Sequence, residues 1–125
     1  MIFGTVNGNR EALVQIVLLG TEKQLRNLTA VIDTGFTGDL MIPEQVVMEL
    51  GWAYRGVQEA VLGDGSFCDF EVYAGTLIWD GQIRSVEVNA CTSGILVGMG
   101  LLEGWKLEVE GRAGGSVRIT DLFDR

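Results

Sequence analysis

The chain has no histidine, one proline, two cysteines and few basic residues. Without histidine there is no imidazole general base, no Ser–His or Cys–His pair, no histidine-held haem and no His-ligated zinc. The cysteines, Cys68 and Cys91, lack CxxC spacing and are too few for a disulfide framework. They read as two buried, small apolar side chains. Nine Lys and Arg face seventeen Asp and Glu, a formal net charge of −8. That field repels phosphate backbones and no basic run offsets it, so nucleic acid is excluded as a partner. No apolar run approaches the roughly 18 residues of a membrane span, and Leu13–Leu19 is broken by Gln15. The start, MIFGTVNGNREA, lacks the basic and apolar regions of a secretory leader. No membrane association and a cytoplasmic location are therefore expected.

Glycine, by contrast, is plentiful: 18 of 125 residues, with 47% of the chain hydrophobic. A chain this size that can bury a core and turn tightly at many points suits one mostly-β domain over residues 1–125. Period-2 runs place strands at Ala12–Leu19 and Gln24–Ile32, joined by Gly20–Lys23. Pro43, then Val46, Val47 and Leu50 at helical spacing, then Gly51, predict a short helix over Glu44–Leu50. Strands resume at Val57–Leu62 and Phe67–Ile78 around Gly63-Asp64-Gly65-Ser66, and Asp80-Gly81 marks a second hairpin into Ile83–Val88. A short strand at Ile95–Val97, a helical turn near Leu101-Leu102 and strands at Trp105–Glu110 and Ser116–Thr120 complete the chain. Trp52, Trp79 and Trp105 read as core or interface anchors.

The segment most suited to chemistry is Ala30-Val31-Ile32-Asp33-Thr34-Gly35-Phe36-Thr37-Gly38. It sets a carboxylate at the end of an apolar strand, in a loop of small and hydroxylated residues where Gly35 permits close backbone approach. An ordinary Asx-turn at Asp33 is the structural alternative. Two other patterns carry less. Gly98–Gly104 approaches a dinucleotide fingerprint but lacks the βαβ unit and the distal acid. Asp33, Asp39, Asp64, Asp69 and Asp80 show no calcium-loop spacing, so no metal site is expected.

The Asp33-Thr34-Gly35 context resembles the retropepsin-like aspartic proteases. Leu96-Val97-Gly98 is similar to that family's late pair of hydrophobic residues and glycine, and Gly63-Asp64-Gly65-Ser66 to the tip of its flap hairpin. The runs DTGFTGDLMIP and ILVGMGLLEG look more like the small single-domain members of bacteria and archaea. The resemblance implies an all-β, closed barrel-like acid-protease fold with one or two short helices and no cofactor. It implies Asp33 as the catalytic carboxyl, Thr34 and Gly35 as loop support, and residues 63–66 closing over an extended peptide or protein substrate. Chemistry of this kind needs two carboxyls sharing one proton, and this chain supplies one such motif. The second must come from another copy across a two-fold axis, hence a homodimer is expected. Two departures stand out: Met99 and Gly100 follow the late glycine where viral relatives carry a polar or charged residue, and Thr37 stands where they carry an acid. The family's ion pair is thus missing on both sides. The same fold kept as a catalytically silent dimerisation or peptide-binding module is the main alternative, and a monomeric barrel holding a hydrophobic ligand a weaker one.

Overall fold

A computed structural model describes residues 1–61, 64–91 and 94–123. Its strands are β1 (Ile2–Val6), β2 (Ala12–Leu19), β3 (Leu25–Ile32), β4 (Leu40–Pro43), β5 (Ala53–Val61), β6 (Phe67–Trp79), β7 (Gln82–Cys91), β8 (Leu96–Val97), β9 (Trp105–Val109) and β10 (Ser116–Asp121). Two short helices interrupt them, α1 (Glu44–Leu50) and α2 (Met99–Leu102). The protein is therefore mostly β, as its turn-rich composition predicts.

The strands form one sheet in the order β5-β6-β7-β4-β8-β3-β2-β1-β10-β9. The long strand β6 lets the sheet curl on itself. Along one edge its first part pairs with β5, and further on Leu77 and Ile78 pair with Leu18 and Val17 of β2. That second pairing closes β6, β7, β4, β8, β3 and β2 into a ring. Inside it lie Leu18, Leu40, Leu77, Val88, Val97 and Leu101, all fully buried. Among the described residues no helix is long and apolar enough to cross a membrane.

Local sequence explains most of the turns. Asp80 and Gly81 both take positive φ, 51° and 79°, the pair of left-handed residues that a two-residue hairpin requires. Helix α1 carries Glu44 in its first turn and ends on Gly51 in the left-handed conformation. Trp52 and Trp79 are buried; Trp105 is half-buried and meets Trp79 edge to face at 5.9 Å. The Trp52 indole donates to the Leu19 carbonyl at 2.9 Å.

Three features depart from the expectations. Strand β1 is an addition, paired with β10 on one side and β2 on the other. Strand β4 is another; its Leu40-Met41-Ile42 is buried on both faces, so it shows no alternation to read. The cysteines are half-buried rather than buried: both border a small apolar cluster built on Phe36, Met41 and Phe70.

Candidate active site

Strands β3 and β8 run side by side in parallel, with Val31 opposite Leu96 and Ile32 opposite Val97. The two motifs singled out in the sequence therefore meet: Asp33-Thr34-Gly35 leaves the end of β3 just where Leu96-Val97-Gly98 leaves β8. The Asp33 N–H extends the ladder by donating to the Val97 carbonyl at 2.9 Å. Beyond it the chain turns, the Phe36 N–H donating back to the Asp33 carbonyl at 3.1 Å. The Asp33 carboxylate accepts from the Gly35 N–H at 2.9 Å, which holds the side chain over its own loop. Asp33 is half-buried, while Thr34 and Gly35 are exposed.

The loop is braced from behind by main chain alone. Gly98 N–H donates to the Asp39 carbonyl at 3.0 Å, Met99 N–H to Phe36 at 2.8 Å and Gly100 N–H to Gly38 at 3.0 Å. These donors open α2 and have no partner within so short a helix, so the loop carbonyls satisfy both sides at once. The contact is close. A Cβ on Gly98 would lie 2.2 Å from the Gly38 carbonyl oxygen, 2.5 Å from the Phe36 ring and 2.7 Å from the Phe36 carbonyl oxygen. The Gly98 φ of −104° is open to any residue, so glycine is needed here for space and not for conformation.

A side-chain brace is added by Asp39, whose carboxylate accepts from the Glu87 N–H on β7 at 3.0 Å. On the other side of α2, the Arg84 guanidinium donates to the Leu101 carbonyl at 2.9 Å. Thr37 and Gly100 carry no charge, and this set of contacts holds the loop.

The β5–β6 hairpin rises beside the loop. Its register runs from Ala53 opposite Ala74 to Val61 opposite Phe67, with a bulge between Tyr54 and Gly56. Of the expected tip residues, Asp64, Gly65 and Ser66 are described and exposed; Gly63 lies outside the described residues. The Asp64 carboxylate accepts from the Ser66 hydroxyl at 2.6 Å and the Ser66 N–H at 2.9 Å, and Gly65 takes a φ of +85° between them. Those two bonds lower the Asp64 pKa, the hydroxyl contributing most.

Between loop and hairpin opens a cleft of about 590 Å³, lined by Gly35–Asp39 on one side, Gln58–Val61 of β5 on another, and Glu87 and Asn89 of β7. Among the described residues, neither Asp33 nor Asp64, Gly65 and Ser66 of the tip line it; the hairpin faces the loop with its strand. Phe36 is buried against Phe70 of β6, with Ala60 of β5 alongside, so the loop and the hairpin base share one small core. The sequence reading quoted Phe36 in the loop and weighed Asp39 only as a calcium ligand, and it gave Glu87 and Asn89 no place in a site. For the last two a signal exists: polar residues two apart on β7, whose opposite face carries the buried Val86 and Val88.

No family model and no curated protein matches the sequence. The fold does match a solved structure, a retropepsin-like aspartic protease from Rickettsia conorii. The TM-score is 0.58 at 13% sequence identity, over 95% of this chain and 90% of that one. The chain thus has a retropepsin-like fold.

Proposed function

We propose that this chain is an aspartic endopeptidase that works as a homodimer, one Asp33 coming from each subunit. The observation that carries the reading is the seating of Asp33. A carboxylate ends the strand that pairs with Leu96-Val97, on a loop held by backbone bonds from Gly98 to Gly100, within a retropepsin-like fold. Across a two-fold axis a residue meets its own copy, and two carboxyls that close share one proton. The ionised Asp33 takes a proton from a water held between them. Its protonated mate polarises the peptide carbonyl, the water oxygen bonds to the carbonyl carbon, and as the C–N bond breaks the departing amine takes up the proton that the first Asp33 drew from the water. Thr34, exposed beside the carboxyl, braces the opposite loop, and the hairpin tip closes over an extended peptide.

The test is cleavage of a denatured protein or peptide library across acid to neutral pH, by wild type and by Asp33→Asn, alongside light scattering. We expect a dimer, turnover by the wild type and none by the variant. Equal cleavage by both removes Asp33 from the chemistry, and a stable monomer removes the second carboxyl. A dimer that cuts nothing returns the chain to the silent binding module.

A further inference from the structure

The cleft beside the Asp33 loop has a composition of its own. Asp39, Glu59 and Glu87 line it, and among the described residues no lysine or arginine does. None of the ion pairs among the described residues involves any of the three. Their carboxylates are also not gathered as a group that could hold a metal ion. They come from three elements around the cleft, the loop, β5 and β7, which suits an extended cation better than a point charge.

A second observation is independent of charge. Asn89 is the one buried polar side chain of the described core, at 3% exposure. It lies two residues from Glu87 on the same face of β7 and opposite Met41 of β4, so it faces the cleft floor. No side-chain hydrogen bond of Asn89 occurs among the described residues. Its amide atoms are not sealed from solvent either, since among the described residues Trp79 Nε1 alone is so placed without a partner; they open to the cleft and can bond a ligand there. A ligand N–H reaching the floor would make that bond, while the carboxylates at the rim take the charge.

We propose that this cleft is a subsite for a basic side chain, arginine above all, of an extended peptide. The proposal names the substrate class of the site and rests on the peptide-binding reading given above. A guanidinium carries several donors in one plane, so it can bond the Asn89 carbonyl oxygen and a rim carboxylate together. Its aliphatic stem lies along Phe36 and Ala60, which border the same space. An acidic side chain would meet like charge on three sides and is excluded.

The experiment reads binding, so it does not depend on turnover. Two fluorescein-labelled decapeptides, identical except for three arginines replaced by three glutamines, are titrated by anisotropy at low salt against Asp33→Asn protein. The arginine peptide should bind about five- to ten-fold tighter, the sum of two partly screened contacts. Adding Glu59→Gln and Glu87→Gln should abolish the preference. Both residues are exposed, so the fold does not depend on them. Adding Glu11→Gln and Glu22→Gln instead, an equal change in net charge outside the cleft, should leave it. Equal affinities, no binding of either peptide, or a preference that survives in the cleft variant overturns the proposal. Cleavage by the wild type is scored separately, so a chain that binds with this preference but does not cut supports the subsite and removes the peptidase.

Discussion

Replacing Gly98 by alanine tests how the candidate site is built. The added Cβ would sit 2.2 Å and 2.7 Å from two backbone carbonyl oxygens and 2.5 Å from the Phe36 ring. The carbonyls cannot swing aside as a flexible side chain could, because they accept the hydrogen bonds that open α2. Two responses are open to the protein. If the loop stays, the overpacking costs about 1–3 kcal/mol. If the loop retreats, three backbone bonds lengthen, at about 1 kcal/mol each. Since the protein takes the cheaper route, the loss is about 1–3 kcal/mol, against the roughly 5–15 kcal/mol that holds a domain of this kind. The control is Gly111→Ala, where nothing lies within 4 Å of the new atom and φ is not in the left-handed region; it should change stability by under about 0.5 kcal/mol. Urea unfolding of the two variants and wild type, at one fixed protein concentration so that self-association cancels, gives the comparison. Equal midpoints for Gly98→Ala and Gly111→Ala would refute the close approach of loop and helix.

Two further outcomes follow from single contacts. The Asp64 carboxyl should titrate below 3.8 by NMR, and Ser66→Ala should bring it back toward that value, since the Ser66 hydroxyl is the main cause of the lowering. A carboxyl lowered in the folded state supports its turn above its unfolded value and stops doing so as the pH falls through the folded one, so the protection of the Ser66 amide, its exchange rate taken relative to the intrinsic rate at each pH, should fall only on acidification. Arg84→Met keeps the stem but removes the donor to the Leu101 carbonyl, and it should cost about 1.5–3 kcal/mol in thermal or urea unfolding. No loss there would mean that water serves that carbonyl equally well.

How far the sequence could be read depended on where its signals were local. Glu44–Leu50 has a helical spacing, a proline before it and a glycine stop after it, and α1 occupies those residues. Asp80-Gly81 sets a hairpin through its own backbone preferences, and the pairing of Trp79 with Gln82 follows. Asp33-Thr34-Gly35 and Leu96-Val97-Gly98 announced themselves as motifs. Long-range causes were less visible. β1 exists because β2 and β10 both offer it an edge, and Gly4 admits the Leu13 carbonyl where a Cβ would lie 1.9 Å away. β4 is apolar throughout because it is covered on both faces, which erases the period that marks a strand. Asn89 was hidden by its neighbours: an amide in an alternating strand is ordinarily a solvent-facing residue, and only the cross-strand packing of Met41 and Val72 buries it.

The absent ion pair shows what the loop requires. Thr37 and Gly100 leave no charge to pair, yet beyond Asp33 the loop is tied at four points, three of them main-chain bonds to the start of α2 and the fourth the Asp39 carboxylate on the Glu87 N–H. A backbone brace has no side-chain entropy to lose and is not screened by salt, so it constrains the loop as firmly as an exposed ion pair, which contributes only about 0–1 kcal/mol. It does demand that α2 approach within backbone contact. A side chain at Gly100 would strike the Asp39 carboxylate at 2.4 Å, just as one at Gly98 would strike the Gly38 carbonyl. The two glycines make that approach possible: with no side chain at residue 98 or 100 the helix closes on the loop, and there is neither room nor need for a salt bridge between them.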